Sequence, residues 1–448
     1  MKNLRNILVL CILSFCAAVF SPLYAQDYLR LSERNITGTA RYIGMGGAMT
    51  AIGGDPSAAL YNPAGLGLYR RSEVFVTFDV MLDRTRQIGT TDVFKRNVLM
   101  IPQASAVFSI PSYTLSDEGV QFNNLMLSYN RVQSYSREMF GVGDHDPSLG
   151  ALLTTADVNW DIPFCTDLIN ASNSLYLRET GYVNEYALDW AMNISNRWYV
   201  GAGLHVQSYL LSSDATYQET FTAQNTEGRH FSNNNQTTLL FSGASFNFSA
   251  GFLCRPLPWL RLGFGIQTPS VGHLVTRTSG SLTAQTDTLA TSYAPDCNSQ
   301  TRSFHMPWHT TTSVGFQIGA YALAAVQYDF THQSGVNLHS LRAGIEVVPV
   351  LGLYINAGYA FESTFDKNPF VVPMDPTFDR QDTYFQRPRW TQYASIAVGY
   401  RGTHMMVQAA YQCRWQRLNL HAIENTAPYD MHTETHRIVL TLGWHRYY

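Results

Sequence analysis

From Glu73 onward, apolar and polar side chains alternate with a period of two. In Tyr182–Ile194 one face carries Tyr182, Tyr186, Leu188, Trp190, Met192 and Ile194, and the other carries Glu185, Asp189 and Asn193 among alanines. Leu341, Ala343, Ile345 and Val347 stand opposite Arg342, Gly344 and Glu346. Leu353, Ile355, Ala357, Tyr359 and Phe361 stand opposite Tyr354, Asn356 and Gly358, and Met405–Trp415 repeats the scheme. A strand needs this alternation when one side meets lipid and the other a polar lumen. Each segment is as long as the roughly 9–11 residues of a transmembrane β crossing.

The connectors alternate in length. Short links at Ser195–Trp198, Arg255–Trp259, Gln317–Tyr321, Val348–Gly352 and Tyr400–His404 separate long polar stretches over 134–180, 212–236, 270–304, 365–389 and 418–433. Short periplasmic turns and long outer loops are the asymmetry of an outer-membrane barrel. Counting crossings gives about fourteen, the first three (73–84, 97–110 and 120–133) being the least regular. The last segment puts Ile438, Leu440, Leu442, Trp444 and Tyr448 on one face and ends on an aromatic, as in the closing strand read by the outer-membrane assembly machinery, although Arg446 departs from that signal. A soluble β-sandwich is the alternative. It would expose Tyr, Trp and Leu on the outer face of every strand, which soluble folds avoid.

Ahead of the alternation lies a different kind of segment, "ARYIGMGGAMTAIGGDPSAALYNPAGLG" (Ala40–Gly67). Gly44, Gly46 and Gly47 permit close packing and unusual dihedrals. Asp55-Pro56 reads as a helix start, with Asp55 as the cap, and the turn must stop near Asn62 because Pro63 follows. Such a knot, small in side chains and weak in charge, suits a hatch inside the lumen of a barrel this size. A dinucleotide-binding reading fails, since Met49 stands where a third glycine belongs.

Composition agrees. Charged residues are 14% of the chain and aromatics 13%, with 26 Tyr and 24 Phe, against about 25% charge in ordinary soluble domains. Beyond the N-terminus no apolar run reaches the length of a spanning helix. The net charge of −3 points to no nucleic-acid partner. Lys2 and Arg5, the apolar Ile7–Phe20 and the small Ala25 read as an export signal. The expected organisation is a signal peptide over 1–25, a hatch over 26–71 and a barrel over 72–448. Cys165 with Cys297 is the one disulfide worth considering.

The hatch sequence, with its Asn62-Pro63-Ala64 triplet ahead of an even-stranded barrel, resembles the long-chain fatty-acid transporter (FadL/TodX-like) family of outer-membrane proteins. The resemblance implies an all-β, transmembrane antiparallel barrel of fourteen strands with an N-terminal hatch. It implies passive uptake of hydrophobic small molecules captured at the outer loops, with hatch movement and lateral release at a kink in the third strand. Hatch roles carry over onto Asn62, Pro63 and Ala64 only, while Gly44, Gly46 and Gly47 join them from their conformational freedom.

Apolar stretches in the outer loops, Arg137–Gly143, Gly150–Ala156 and Pro369–Met374, could line a groove for a greasy ligand. Arg178, Arg277, Arg387 and Arg389 are loop cations that could meet a carboxylate head group. His305 with His309, and His432 with His436, are each spaced by four, which keeps a haem or metal receptor in play only where the chain is helical. No Gly-x-Ser-x-Gly stretch suggests an enzyme. The expected partners are a hydrophobic small molecule, outer-membrane lipid and the assembly machinery, with no cofactor or metal. A role in a protein-secretion system is a further alternative.

Overall fold

The computed structural model describes residue 31 and residues 33–112, 118–143, 168–223, 230–286, 290–294, 297–333, 336–363, 385–421 and 428–445. The signal segment, Cys165, the stretches Gly150–Ala156 and Pro369–Met374, and Arg446–Tyr448 lie outside them.

The alternating segments form one antiparallel wall. Its first strands are β1 (Glu73–Gln87), β2 (Phe94–Pro111), β3 (Val120–Gly143), β4 (Leu168–Ile194), β5 (Trp198–Ala223) and β6 (His230–Leu257). Next come β7 (Leu260–Gln267), β8 (Val271–Thr286), β9 (Ala290–Tyr293), β10 (Asn298–His305) and β11 (Trp308–Ile318). The wall ends with β12 (Ala322–Gln333), β13 (Val336–Val350), β14 (Leu353–Glu362), β15 (Phe385–Arg401), β16 (Met405–His421) and β17 (Tyr429–His445). β1 pairs with β17 from Glu73–His445 to Gln87–Met431, which closes the sheet and leaves no free edge there. β7 with β8, and β10 with β11, are single crossings broken at Thr268-Pro269-Ser270 and Met306-Pro307, and β9 only extends β10 along β8, so the barrel has 14 strands. Both breaks sit at one height, between His305–Val271 and His309–Gln267, where proline removes a ladder donor from each of two neighbours.

The outward parity is the one the pattern names: Tyr186, Leu188, Trp190, Leu341, Ile345, Ile355, Tyr359, Ile438, Leu440 and Trp444 are exposed, on the face that meets lipid in a membrane barrel. Trp259 stacks on Phe316 and Trp198 packs on Phe252 near the short turns, while Tyr328 and Tyr411 pair with His339 and His436 toward the other end. These are interfacial aromatic girdles.

The strands run further than the pattern suggested. Much of the stretches over 134–180, 212–236 and 270–304 is strand, so Arg137–Gly143 is the end of β3 and not a loop. Beyond the girdle neither face meets lipid, and residues such as Gln218, Thr220, Asn233 and Asn235 pair in the ladder without any apolar alternation.

Candidate functional site: the plugged lumen

Inside the wall, the segment from Asn35 to Tyr69 makes two short helices, α1 (Ala40–Gly44) and α2 (Pro56–Ala59), and a 3₁₀ turn over Pro63–Leu68. Their N-termini are tied together. The Thr39 hydroxyl accepts from the Tyr42 amide (3.1 Å) and donates to Asp55 (2.6 Å), and Asp55 accepts from the Ser57 amide (2.9 Å). Burial pushes the Asp55 carboxyl up, against the opposite pull of the Thr39 hydroxyl and Arg41.

Asn62 is fully buried and caps the 3₁₀ turn: its Oδ1 accepts from the Ala64 amide at 3.1 Å. Its Nδ2 donates to the carbonyls of Thr50 (3.1 Å) in the segment and Phe252 (3.2 Å) in β6. Pro63 and Ala64 lie flat against the wall at Gly201 and Gly251, which are register partners on β5 and β6. A second approach occurs at Gly358 of β14, where the backbone of Met45 and Gly46 fills the space of a Cβ. Gly46 and Gly47 adopt left-handed φ values of 62° and 78°, and Gly44 packs on Ala397.

Polar ties complete the circumference. Arg41 makes two bonds to Glu346 of β13 (Nε 2.6 Å, Nη2 2.8 Å). Arg437 of β17, paired with Asp79 of β1, donates to the Ile36 carbonyl at 2.8 Å. Thr50 bonds Ser313 of β11 (2.6 Å), Arg261 of β7 reaches the Ile52 carbonyl (2.8 Å), and Asn124 of β3 reaches the Leu66 carbonyl (2.6 Å).

The wall itself is incomplete beside this segment. β2 and β3 pair only from Pro111–Phe122 to Gln103–Asn130. Pro102 has no amide to offer, and the β1–β2 ladder shifts register at the same point, between Thr77 and Asp79. Opposite, β3 bulges against β4 between Arg131 and Gln133, so Phe94–Met100 pairs only with β1 and Gln133–Gly143 only with β4. The luminal segment takes up the orphaned carbonyls: the Asn35 amide donates to Val132 O (3.1 Å) and the Thr37 hydroxyl to Arg131 O (2.9 Å). The far end of β3 leans across the lumen, where Gly141 meets the Tyr429 ring of β17 and the Gln87 amide brackets Val142.

Above the segment the interior is lined by two apolar clusters. One joins Leu31, Val132, Tyr135, Val183, Tyr209, Leu211, Phe241, Leu274, Phe304 and Met306. The other joins Met139, Leu175, Leu177, Tyr217, Leu418, Leu420, Tyr429 and Met431. Beside them a polar chamber opens between Arg34 and Tyr61 of the segment and Gln267, His309, Thr311, Asp329, Arg342 and Glu362 of the wall.

Three of the four expected head-group cations are not in this interior. Arg178 and Arg277 are exposed on the outward parity of β4 and β8, Arg178 near Glu138 (3.7 Å). Arg389 is exposed beside Asp430 (3.9 Å), and the Arg387 side chain lies outside the described residues. Among the described residues the inward cations include Arg34, Arg41, Arg137, Arg261, Arg342, Arg414 and Arg437, which the sequence reading passed over as site residues. The histidine pairs are also not joint sites. The Met306-Pro307 break puts His309 inward, bonded to Thr331 (2.9 Å), and His305 on the other face. His432 and His436 bind different neighbours, Glu434 (3.1 Å) and the Tyr411 hydroxyl (2.7 Å).

No protein-family model matches the chain, and no curated protein matches it in sequence. Solved structures do. A Pseudomonas aeruginosa FadL homologue is similar at 13% identity and a TM-score of 0.59, over 92% of this chain and 99% of that one. The CymD monoaromatic hydrocarbon channel is similar at 10% identity and 0.54, over 93% and 100%. The P. putida toluene transporter TodX is similar at 11% identity and 0.53, over 92% and 100%. In fold, this chain is a closed antiparallel β-barrel similar to those of the FadL homologue and TodX.

Proposed function

We propose that this barrel is a passive channel for hydrophobic small molecules, in which the luminal segment is the gate and the β2–β3 gap the way out. The observation that supports it most directly is that gap. At Pro102 and Val132 the wall gives up its ladder at a height where its outer face is lipid-facing, directly beside the plug. A water-filled porin needs no such seam. A hydrophobic molecule does, because leaving sideways keeps it out of water, and each methylene kept buried is worth about 0.8 kcal/mol. The apolar clusters supply the route from the outside, since Tyr135 and Met139 of β3 contribute one to each. The similar structures named as hydrocarbon and toluene channels support the same reading.

In this reading Asn62, Pro63 and Ala64 hold the gate against the wall, and ligand entering the apolar interior displaces it. The test is uptake of a fluorescent hydrophobic probe by cells with and without the protein, with mass spectrometry of lipid co-extracted with it. Faster uptake and a bound apolar compound are expected. Equal uptake with a stoichiometric protein partner in the extract favours a secretion role, and a haem absorbance band favours a haem receptor.

A further inference from the structure

The outward face of β1 carries Val74, Val76, Phe78, Val80 and Leu82 in alternation, and then turns to Arg84 and Arg86. Val74 to Leu82 has the length of one transmembrane β crossing, so Arg84 emerges at the level of lipid head groups, on the side of the long connections. Register places its neighbours. Lys95 of β2, Arg84, Glu434 of β17 and Trp415 of β16 form one row across the wall. Arg86, His432 of β17, Arg417 of β16 and Trp390 of β15 form the next row out. Arg84, Arg86, Lys95 and Arg417 are all exposed.

The charges in these rows do not balance. Arg84 stands directly opposite Lys95, a like-charge pair that weakens a ladder. Neither side chain, nor that of Arg86, has a hydrogen-bond or ion-pair partner among the described residues. Arg417 lies over the Trp390 ring, 5.7 Å from its centre, which leaves its charge uncancelled. The carboxylate in the rows, Glu434, is bonded to His432 at 3.1 Å. Asp92 in the turn between β1 and β2 adds a second acid, so four cations meet two carboxylates. Cations nearby are matched instead: Arg389 has Asp430 at 3.9 Å, and Arg96 and Arg178 share Glu138 at 3.8 and 3.7 Å.

From these unmatched cations at head-group level we infer that this corner of the wall binds a phosphate-bearing lipid of the outer leaflet. Side chains directly opposite in a ladder start about 5 Å apart, so Arg84 and Lys95 can close on one phosphate, the guanidinium fork taking two of its oxygens. Arg86 and Arg417 stand one row out, where a second phosphate on the same head group would lie. The half-buried Trp390 and Trp415 supply the amphipathic rings of a membrane interface. Lys95 belongs to the stretch of β2 that pairs only with β1, so the lipid sits beside the β2–β3 gap. The inference goes beyond the uptake reading and holds or fails whatever crosses the barrel. Native mass spectrometry tests it on the full chain in tetraethylene glycol monooctyl ether, titrated with diphosphoryl lipid A, its fully dephosphorylated form and inorganic phosphate. Diphosphoryl lipid A is expected to bind at least about tenfold more tightly than the dephosphorylated lipid, and excess inorganic phosphate should not displace it. The triple variant Arg84→Gln, Arg86→Gln and Lys95→Gln should lose that preference. Arg178→Gln, which removes an outward cation already met by Glu138, should keep it. Without lipid, the triple variant should melt at or above the parent's midpoint because the like-charge pair is gone, while only the parent should gain on adding diphosphoryl lipid A. Equal binding of the two lipids, binding of neither, or displacement by inorganic phosphate overturns the inference. So does a preference that survives in the triple variant or is lost equally in Arg178→Gln.

Discussion

Gly201 and Gly251 face one another in register on β5 and β6, and each yields its side-chain space to the luminal segment. A Cβ on Gly201 would lie 2.6 Å from the Ala64 amide nitrogen, and one on Gly251 would collide with the Asn62 side chain and sit 2.8 Å from Pro63. The pair is a seat cut into the wall for one turn of chain.

Valine at that seat should therefore unseat the plug while leaving the barrel intact. Val suits a strand, so Gly201→Val costs the wall little. The clash is with segment backbone, which cannot rotate away. Leakage of small polar solutes in a liposome-swelling assay should rise several-fold, while the detergent-resistant barrel still migrates as folded. Swelling no faster than with the parent protein would show that the segment does not seal the bore.

Asn62→Ala removes a cap and two cross-links at once. The carbonyls of Thr50 and Phe252 and the Ala64 amide lose their side-chain partner, at a cost of about 1–3 kcal/mol to local closure. Amide exchange of peptides within residues 35–69 should accelerate roughly tenfold or more, with strands β12–β17 unchanged. Uniform acceleration across the barrel would instead assign Asn62 a global structural role.

Arg41 and Glu346 form a two-bond pair, with the glutamate side chain 2% exposed. Removing one member strands a buried charge, and the loss runs to about 3–5 kcal/mol where solvent is absent. Arg41 keeps some exposure, so the lower end is expected. Arg41→Met and Glu346→Leu should each raise leakage more than the double variant does. A strictly additive double variant would mean that the two residues hold the plug independently.

The wall was legible in the sequence and the site largely was not, for reasons visible in single residues. Outward parity read from Tyr182–Ile194 already places Arg178 outside and Glu179 inside, because a strand keeps its faces when no bulge intervenes; treating 134–180 as loop discarded that information. The pattern did put Arg342, Gly344, Glu346 and Gly358 on the inner face, but only register shows that Gly344 and Gly358 are partners beneath Met45 and Gly46. The chamber combines Arg34, Gln267, Thr311 and Arg342 from distant crossings, and no local spacing encodes such a set. The outer parts of β4 to β6 lost their signal because alternation reflects lipid on one side, and there is none there.

The β2–β3 gap gives the sharpest test of the exit. Two features hold it open: Pro102 withholds an amide from the ladder, and Asn35 and Thr37 occupy the carbonyls of Val132 and Arg131. Removing the first alone should change little, since the carbonyls remain engaged. Pro102→Val combined with Asn35→Pro, which removes the donating amide, and Thr37→Val frees both sides, and re-pairing then recovers ladder bonds worth about 0.5–1.5 kcal/mol each. The triple variant should show new amide protection over residues 131–143 and uptake of a hydrophobic probe reduced several-fold, whereas Pro102→Val should resemble the parent in both. Each arm is informative because protection reports whether the seam has closed, independently of transport. A closed seam with undiminished uptake would mean that the ligand leaves past the plug along the barrel axis, and the sideways route would have to be abandoned.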